Sequence, residues 1–337
     1  MHKPPNRFYP FMYQPEELFV CENPAWFIEG TGSPVSCLDF SSDGSVVAFS
    51  NIPGQICLSS CFTSDIKRKS LTQYTSQSLT GCRFHPSQES LLLLTSRDGH
   101  IMLHDLEKDE VVALSRHLGS NLLTMNVDSF GEIFAIGCAD GSIRIYNLEN
   151  FQRTKALVKM TSRSSIPQQI SIYSLVFHPE DSNILLAAGW NDRVLFWDLR
   201  TGNAERVIAG PHIRGPGLDI YNDMIITASA RDKKQIEVWD YGTTKKIKDI
   251  PFDTDDMKKE CFANAVKVSR NGLDMVAGGS GSNLAQAFEY TSGTCIGQTD
   301  AFNSPVCILS SSPFGSGFVV GTEQGDLASY MIRVKSN

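Results

Sequence analysis

Along this chain, short runs in which apolar and polar residues alternate recur at a nearly fixed interval. An apolar residue closing such a run stands at Phe40, Phe84, Val127, Phe177, Ile220, Val268 and Leu309, with spacings of 44, 43, 50, 43, 48 and 41 residues. Alternation with period two is the signature of a strand with one buried face, and a repeat of this length signals a stacked or circular array. Each repeat reads alike. A strand such as Ile172 to Phe177 is followed by a polar turn, a small-residue apolar strand such as Ile184 to Gly189, a tight turn, and a third strand such as Val194 to Trp197. A loop and a fourth strand, such as Ala204 to Ala209, complete the unit.

The tight turns are Asp98-Gly99, Asp140-Gly141 and Asn191-Asp192, residue types that accept positive φ and so join twisted antiparallel strands. The third strands end in His104-Asp105, Tyr146-Asn147, Trp197-Asp198 and Trp239-Asp240. In these dipeptides, and in Phe84-His85-Pro86 and Phe177-His178-Pro179 at the first turn, the chain resembles the WD40-repeat β-propeller family over about residues 25 to 334. The resemblance implies an all-β, seven-bladed propeller. It departs from the family in lacking most Gly-His dipeptides, with Arg116-His117 and Pro211-His212 as partial substitutes, so the buried Asp-His-Ser/Thr-Trp network is incomplete in most repeats. The sixth and seventh repeats end in Phe288-Glu289-Tyr290 and Ser329-Tyr330-Met331 and are degenerate, like the first.

A lone blade exposes sheet edges and an apolar face, so the ring has to close. The last repeat supplies three strands, while Trp26-Phe27-Ile28 is an orphan strand ahead of the first repeat. In related propellers such a strand completes the last blade. The expectation is an N-terminal extension over 1–24, rich in Pro and aromatic residues, followed by a propeller over 25–335 closed by its own N-terminal strand.

Composition narrows the function. Thirty-seven acidic residues against 30 basic ones give a net charge of −7, which disfavours a nucleic-acid or membrane binder that needs a wholly basic surface. Nine scattered cysteines, mostly inside apolar runs, read as reduced thiols of a cytoplasmic or nuclear protein. No G-x-S-x-G, P-loop, H-E-x-x-H or C-x-x-C motif occurs, so catalysis, cofactor and metal are not expected. Cys57 with Cys61, and His100 with His104, are spaced for metal ligation but lack a second pair. Gly278-Gly279-Ser280-Gly281 lies between two strands and reads as a permissive turn instead of a phosphate cradle.

Protein partners remain, and three features could hold them. Arg153, Lys155, Lys159 and Arg163 form a basic stripe in a stretch, Asn150 to Pro179, without one acidic residue. Such a stripe on an acidic body suits an acidic segment or phosphopeptide, with Asp253, Asp255 and Asp256 as the competing internal partner. His212 and Arg214 sit in the Pro/Gly-punctuated link Gly210 to Gly215. Trp197-Asp198-Leu199-Arg200 is similar to the WDxR box of cullin-4 ubiquitin-ligase substrate receptors, which puts Arg200 among the candidates. The reading is a non-enzymatic scaffold in a multiprotein complex, with a ligase receptor or a component of a cytoskeletal, ciliary or RNA-processing assembly as alternatives.

Overall fold

In the computed structural model, the strands of each repeat pair with their neighbours in sequence in an antiparallel meander. The structure describes residues 18–20, 23–61, 65–157, 171–252, 261–314 and 317–334, in 29 strands without a helix. The strands form seven sheets, six of four strands and one of five. We number these blades 1 to 7 and letter their strands a to d from the axis outward. Blade 4, for example, runs Ile172–Phe177, Ile184–Gly189, Arg193–Asp198 and Asn203–Ala209. All seven periodic apolar residues of the sequence lie on an innermost strand, from Phe40 in Cys37–Phe40 to Leu309 in Val306–Ser311.

Small β-branched and aliphatic residues fill the b and c strands because both faces of each blade are covered by its neighbours. The buried residues sort into seven clusters, one for each junction between successive blades. The seventh joins Val319 and Leu327 of blade 7 to Leu38, Val47, Phe49 and Cys57 of blade 1, and Trp26 and Ile28 belong to it. Ring closure follows from burial: each blade has an apolar face that only the next blade can cover.

Polar clamps tie the blades together near the axis. The Asp39 carboxylate of blade 1 accepts the N–H of Phe84 in blade 2 at 3.0 Å, and Asp219 of blade 5 accepts that of Val268 in blade 6 at 2.9 Å. A cation accompanies each clamp, with Arg83 3.5 Å from Asp39 and Lys267 3.2 Å from Asp219. In the first turns, His85 Nδ1 accepts the N–H groups of Ser87 and Gln88, and His178 Nδ1 that of Glu180. At the same sequence position in blades 1 and 6, the Ser41 and Ser269 hydroxyls instead accept the N–H five residues on, of Val46 and Asp274. Of the signature tryptophans, Trp239 donates to Thr227 at 3.1 Å, whereas the Trp197 indole N–H has no hydrogen-bond partner.

Blade 7 is completed as expected, and by more than expected. Trp26–Ile28 pairs with Leu327–Ser329 of the c strand, and a further strand, Leu18–Val20, pairs with Ile332–Val334 of that same strand. The c strand therefore runs Leu327–Val334, beyond the Ser329-Tyr330-Met331 that the repeat pattern marks as its end. One reading is corrected. Of the four residues Gly278 to Gly281, only Gly281 lies in the turn, at φ 91°, while the first three belong to strand Asp274–Ser280. A Cβ on Gly279 would stand 1.8 Å from the Phe262 carbonyl oxygen, so close strand approach, not turn flexibility, requires glycine there.

Candidate protein-binding site

Antiparallel order places the b–c turns and the loops between blades on one face of the ring. Hydrogen bonds join the two, as from His117 N to Gly99 O and from Gly210 N to Asp192 O. Gly99 and Gly141 have φ of 98° and 79° and Asp192 has 53°, the left-handed turn residues that the sequence marks. Two features stand out on this face.

The first spans blades 4 and 5. Trp190 opens the b–c turn of blade 4 and is 48% exposed, although it directly follows the buried strand residues Leu185 to Gly189. Tyr173, at the start of the innermost strand of blade 4, stacks on one side at 5.7 Å between centroids. The ring of His212 lies 6.2 Å away at 26° to the indole, and the Arg214 guanidinium 5.9 Å from the Trp190 ring. His212 Nδ1 is 2.7 Å from the Asp192 carboxylate, which fixes the imidazole, and His212 N bonds Ser229 Oγ. Arg214 is exposed and takes part in no salt bridge among the described residues, in contrast to Arg231, which is held by Glu237 at 3.1 Å. The side-chain amide of Asn191, in the same turn, is buried with neither its N nor its O hydrogen-bonded. The result is an aromatic shelf with one uncompensated cation, on a turn and a loop pinned to a rigid scaffold.

The second is a shallow cleft of about 530 Å3 between blades 2 and 3, lined by Asp98, His117, Leu118, Gly119, Ser120, Asn121, Ala139 and Asp140. Leu118 is 73% exposed beside it. Burial works to raise the Asp98 carboxyl, but hydrogen bonds from Ser96, His100 and Thr75 outweigh it and hold the group below its usual range. Asp140 is lowered in the same way by Ser142 and Arg144. Burial, with Arg144 and Arg153, lowers His117. Both carboxylates are thus committed to their turns. The described residues contain no group of three metal-ligating side chains.

The remaining candidates fall on the rim. Arg153 and Lys155 lie exposed on the outer strand of blade 3, Arg153–Leu157. Lys155 Nζ reaches across to the carbonyls of Leu199 and Arg200 in blade 4. Arg200 folds back on its own turn, Nε and NH2 bonding the Asp198 carboxylate at 3.0 and 2.9 Å. That fork holds the Asp198 carboxyl down to about 2. Lys159, Arg163, Asp253, Asp255 and Asp256 lie outside the described residues. Thus the structure brings His212 and Arg214 together, and Lys155 with Arg200, but these two groups are separate. Trp190 and Tyr173 were missing from the sequence reading. Its available signal was a large aromatic in the turn Gly189-Trp190-Asn191-Asp192, where small and polar residues are the rule.

Seven blades in a closed ring, Trp-Asp at the ends of two third strands and Asp-containing b–c turns define the class: the chain is a seven-bladed β-propeller with WD40-type repeats. A profile of the anaphase-promoting complex subunit 4 WD40 domain matches residues 82–171. Over 118 residues the chain is 27% identical to cilia- and flagella-associated protein 52 of Chlamydomonas reinhardtii, covering 35% of this chain and 18% of that protein. Over 178 residues it is 23% identical to the human U3 small nucleolar RNA-associated protein 4 homolog, covering 53% and 24%. The chain therefore matches less than a quarter of the length of these two relatives. A chain in the crystal structure of the mitotic checkpoint complex superposes with a TM-score of 0.77 at 14% identity, covering 98% of this chain and 96% of that one, and shares its fold. Propellers of this type generally act as platforms for other proteins. Among the described residues no helix is long and apolar enough to cross a membrane.

Proposed function

We propose that this chain is a non-enzymatic scaffold of a multiprotein complex and that it docks protein segments on the shelf formed by Tyr173, Trp190, His212 and Arg214. The observation that carries this reading is the half-exposed Trp190, held between Tyr173 and His212 on a turn that cannot relax inward because the strand behind it is packed. Binding energy in protein interfaces concentrates in Trp, Tyr and Arg that are already ordered before the partner arrives. The uncompensated Arg214 selects an anionic group next to an apolar or aromatic side chain, supplied by an acidic segment or a phosphopeptide. Capture of partners from cell extract on immobilised protein tests the proposal, with Trp190→Ala and Arg214→Glu compared with the native chain. At least one partner should fall by about 30-fold, the loss of a contact worth about 2 kcal/mol. Phosphatase treatment of the extract separates the two sources of anion, and a partner set unchanged in both variants refutes the proposal.

Membership of a ciliary or nucleolar assembly, in the cytoplasm, on the cytoskeleton or in the nucleus, is the companion proposal, supported by the names of the two sequence relatives. The ligase-receptor reading has no comparable observation behind it: Arg200 binds the Asp198 carboxylate of its own turn through one edge of the guanidinium and is otherwise exposed.

A further inference from the structure

The b–c turns of blades 2, 3 and 7 close alike. The N–H of Gly99 bonds Ser96 O, that of Gly141 bonds Cys138 O and that of Gly325 bonds Thr322 O, with the glycines at φ of 98°, 79° and 92°. Counted from the same strand end, blade 4 turns through Gly189-Trp190-Asn191-Asp192 and places Asp192, at φ 53°, where the others have glycine. The left-handed region is open to glycine and unfavourable for a residue with a Cβ, although aspartate enters it more readily than most. Nothing in the backbone calls for aspartate there. The link that crosses above the turn is held through Gly210 N on Asp192 O, Ile213 N on Gly189 O and Ala230 N on His212 O, and by His212 N on Ser229 Oγ. In blade 2 the corresponding bond, from His117 N to Gly99 O, is made to a glycine.

What aspartate adds is its side chain. The Asp192 carboxylate is 63% exposed, and a pair so open to water contributes little to stability. It lies 2.7 Å from His212 Nδ1, and because a carboxylate only accepts, the ring nitrogen donates. In the neutral imidazole the other nitrogen, Nε2, then carries the lone pair. Nε2 has no hydrogen-bond partner among the described residues and is not buried, so it opens to solvent beside Trp190, whose indole the ring faces at 6.2 Å and 26°. The Arg214 guanidinium lies 5.9 Å from the same indole. A hydrogen-bond acceptor and a cationic donor thus flank one aromatic ring.

Taking the shelf as the docking site, on which this inference rests, we propose that Asp192 is its positioning residue: it holds His212 with Nε2 outward as an acceptor, and the shelf thereby takes a carboxylate-bearing protein segment in preference to a phosphorylated one. A carboxylate places both oxygens on the Arg214 fork, and the backbone N–H of the same Asp or Glu is left to donate to Nε2. A phosphate has one oxygen more than the fork takes up, and that oxygen meets the Nε2 lone pair. The indole of Trp190 covers the apolar part of the segment between the two contacts. A left-handed aspartate is retained in this turn, and in none of the three glycine turns, because only here does a carboxylate have an imidazole to orient.

Long-range 1H–15N spectra of the neutral imidazoles read the tautomer, with His212 identified among the seven histidines by its loss in His212→Gln. The native chain should carry the proton on Nδ1. Asp192→Asn should keep it there, because the amide oxygen still accepts and asparagine enters the left-handed region as readily, and Asp192→Gly should lose it. Glycine suits the turn, so Asp192→Gly should melt within about 2 °C of the native chain or above it. Partners captured from cell extract through Trp190 should bind Asp192→Gly about five- to tenfold more weakly and Asp192→Asn within about twofold of native, the loss and retention of one interfacial hydrogen bond. Phosphatase treatment should leave them bound. If Trp190→Ala loses no partner, the shelf itself is removed. If it loses partners that Asp192→Gly keeps, the shelf stands and the role of Asp192 is overturned. A native His212 protonated on Nε2, or an Asp192→Asn that behaves like the glycine variant, overturns it too. So does an Asp192→Gly that melts more than about 4 °C below native, since the carboxylate then belongs to the fold. Partners released by phosphatase overturn the choice of a carboxylate.

Discussion

Removing the indole of Trp26 tests ring closure without touching the hydrogen bonds of the closing strand. Trp26 is 9% exposed and packs in the cluster that joins blade 7 to blade 1, while its backbone neighbours Ala25 and Gly30 bond Ser329 O at 2.7 Å and Asp326 Oδ1 at 2.8 Å. Trp26→Ala leaves those bonds in place and opens a cavity, which costs about 3 to 5 kcal/mol. Spread over the unfolding entropy of a chain of this length, that lowers the melting temperature by about 4 to 7 °C. Phe27 provides an internal control, because it sits between the two buried residues yet is 52% exposed on the opposite side of the strand. Phe27→Ala should cost less than about 0.5 kcal/mol. Deleting residues 1–30 removes both N-terminal strands and bares the edge of Leu327–Val334, so it should cost more than Trp26→Ala and promote aggregation. Circular dichroism melts with light scattering read all three. If Trp26→Ala melts within about 1 °C of the native chain, the cavity reasoning fails. If the deletion does as well, the closing strand carries no weight in the ring.

Three further outcomes follow from packing and charge. Burial lowers His85 and His104 below 6.5, so the folded state favours their neutral forms; the unfolded chain binds protons first, and stability should fall as pH drops through 6.5. Urea midpoints that stay flat from about pH 7.5 to about pH 5 would contradict this. Asp219→Ala leaves the buried Val268 N–H without its acceptor and Lys267 without its partner, at a cost of about 2 kcal/mol by urea titration, whereas Asp232→Ala, on an exposed turn, should be neutral. Gly279→Ala drives a methyl into the Phe262 carbonyl and should destabilise by about 3 kcal/mol or prevent folding, while Gly242→Ala, with its nearest atom 3.6 Å away, should be tolerated.

The period of the chain was legible because one innermost strand per blade must end in an apolar residue, whatever else varies. Degenerate repeats kept that residue, as at Val268 and Leu309, and replaced the Trp of Trp-Asp by Phe288 and Tyr330, which fill the same inter-blade clusters. The closing strand Trp26–Ile28 was legible too, since an apolar triplet ahead of a repeat array lacks any other partner. Leu18–Val20 was not. A three-residue strand is defined by what it pairs with, and its partner, Ile332–Val334, lies at the far end of the chain. The glycine run at 278–281 misled for a related reason: glycine serves a turn through its own φ and a strand through its neighbour's proximity, and only the second depends on Phe262.

For the candidate site the division falls differently. His212 and Arg214 could be read because proline and glycine mark a link that must cross a face of the ring, where polar side chains meet solvent. Trp190 could not, since an aromatic residue after Leu185-Leu186-Ala187-Ala188-Gly189 looks like one more core position. What exposes it is the strand's end: Gly189, whose Cβ would lie 2.0 Å from Ser171 O, brings the inner strand so close that no bulky side chain fits inward beyond it. The indole then lies over the face, against Tyr173 and the Pro-Gly link that carries His212. Lys155 and Arg200 met for a different reason, because the outer strand of blade 3 lies beside the c–d turn of blade 4, which brings Lys155 Nζ to the Leu199 and Arg200 carbonyls. A cation on one rim therefore finds the carbonyls of the next, and a basic stripe in sequence is spent in part on holding neighbouring blades before it is available to a partner.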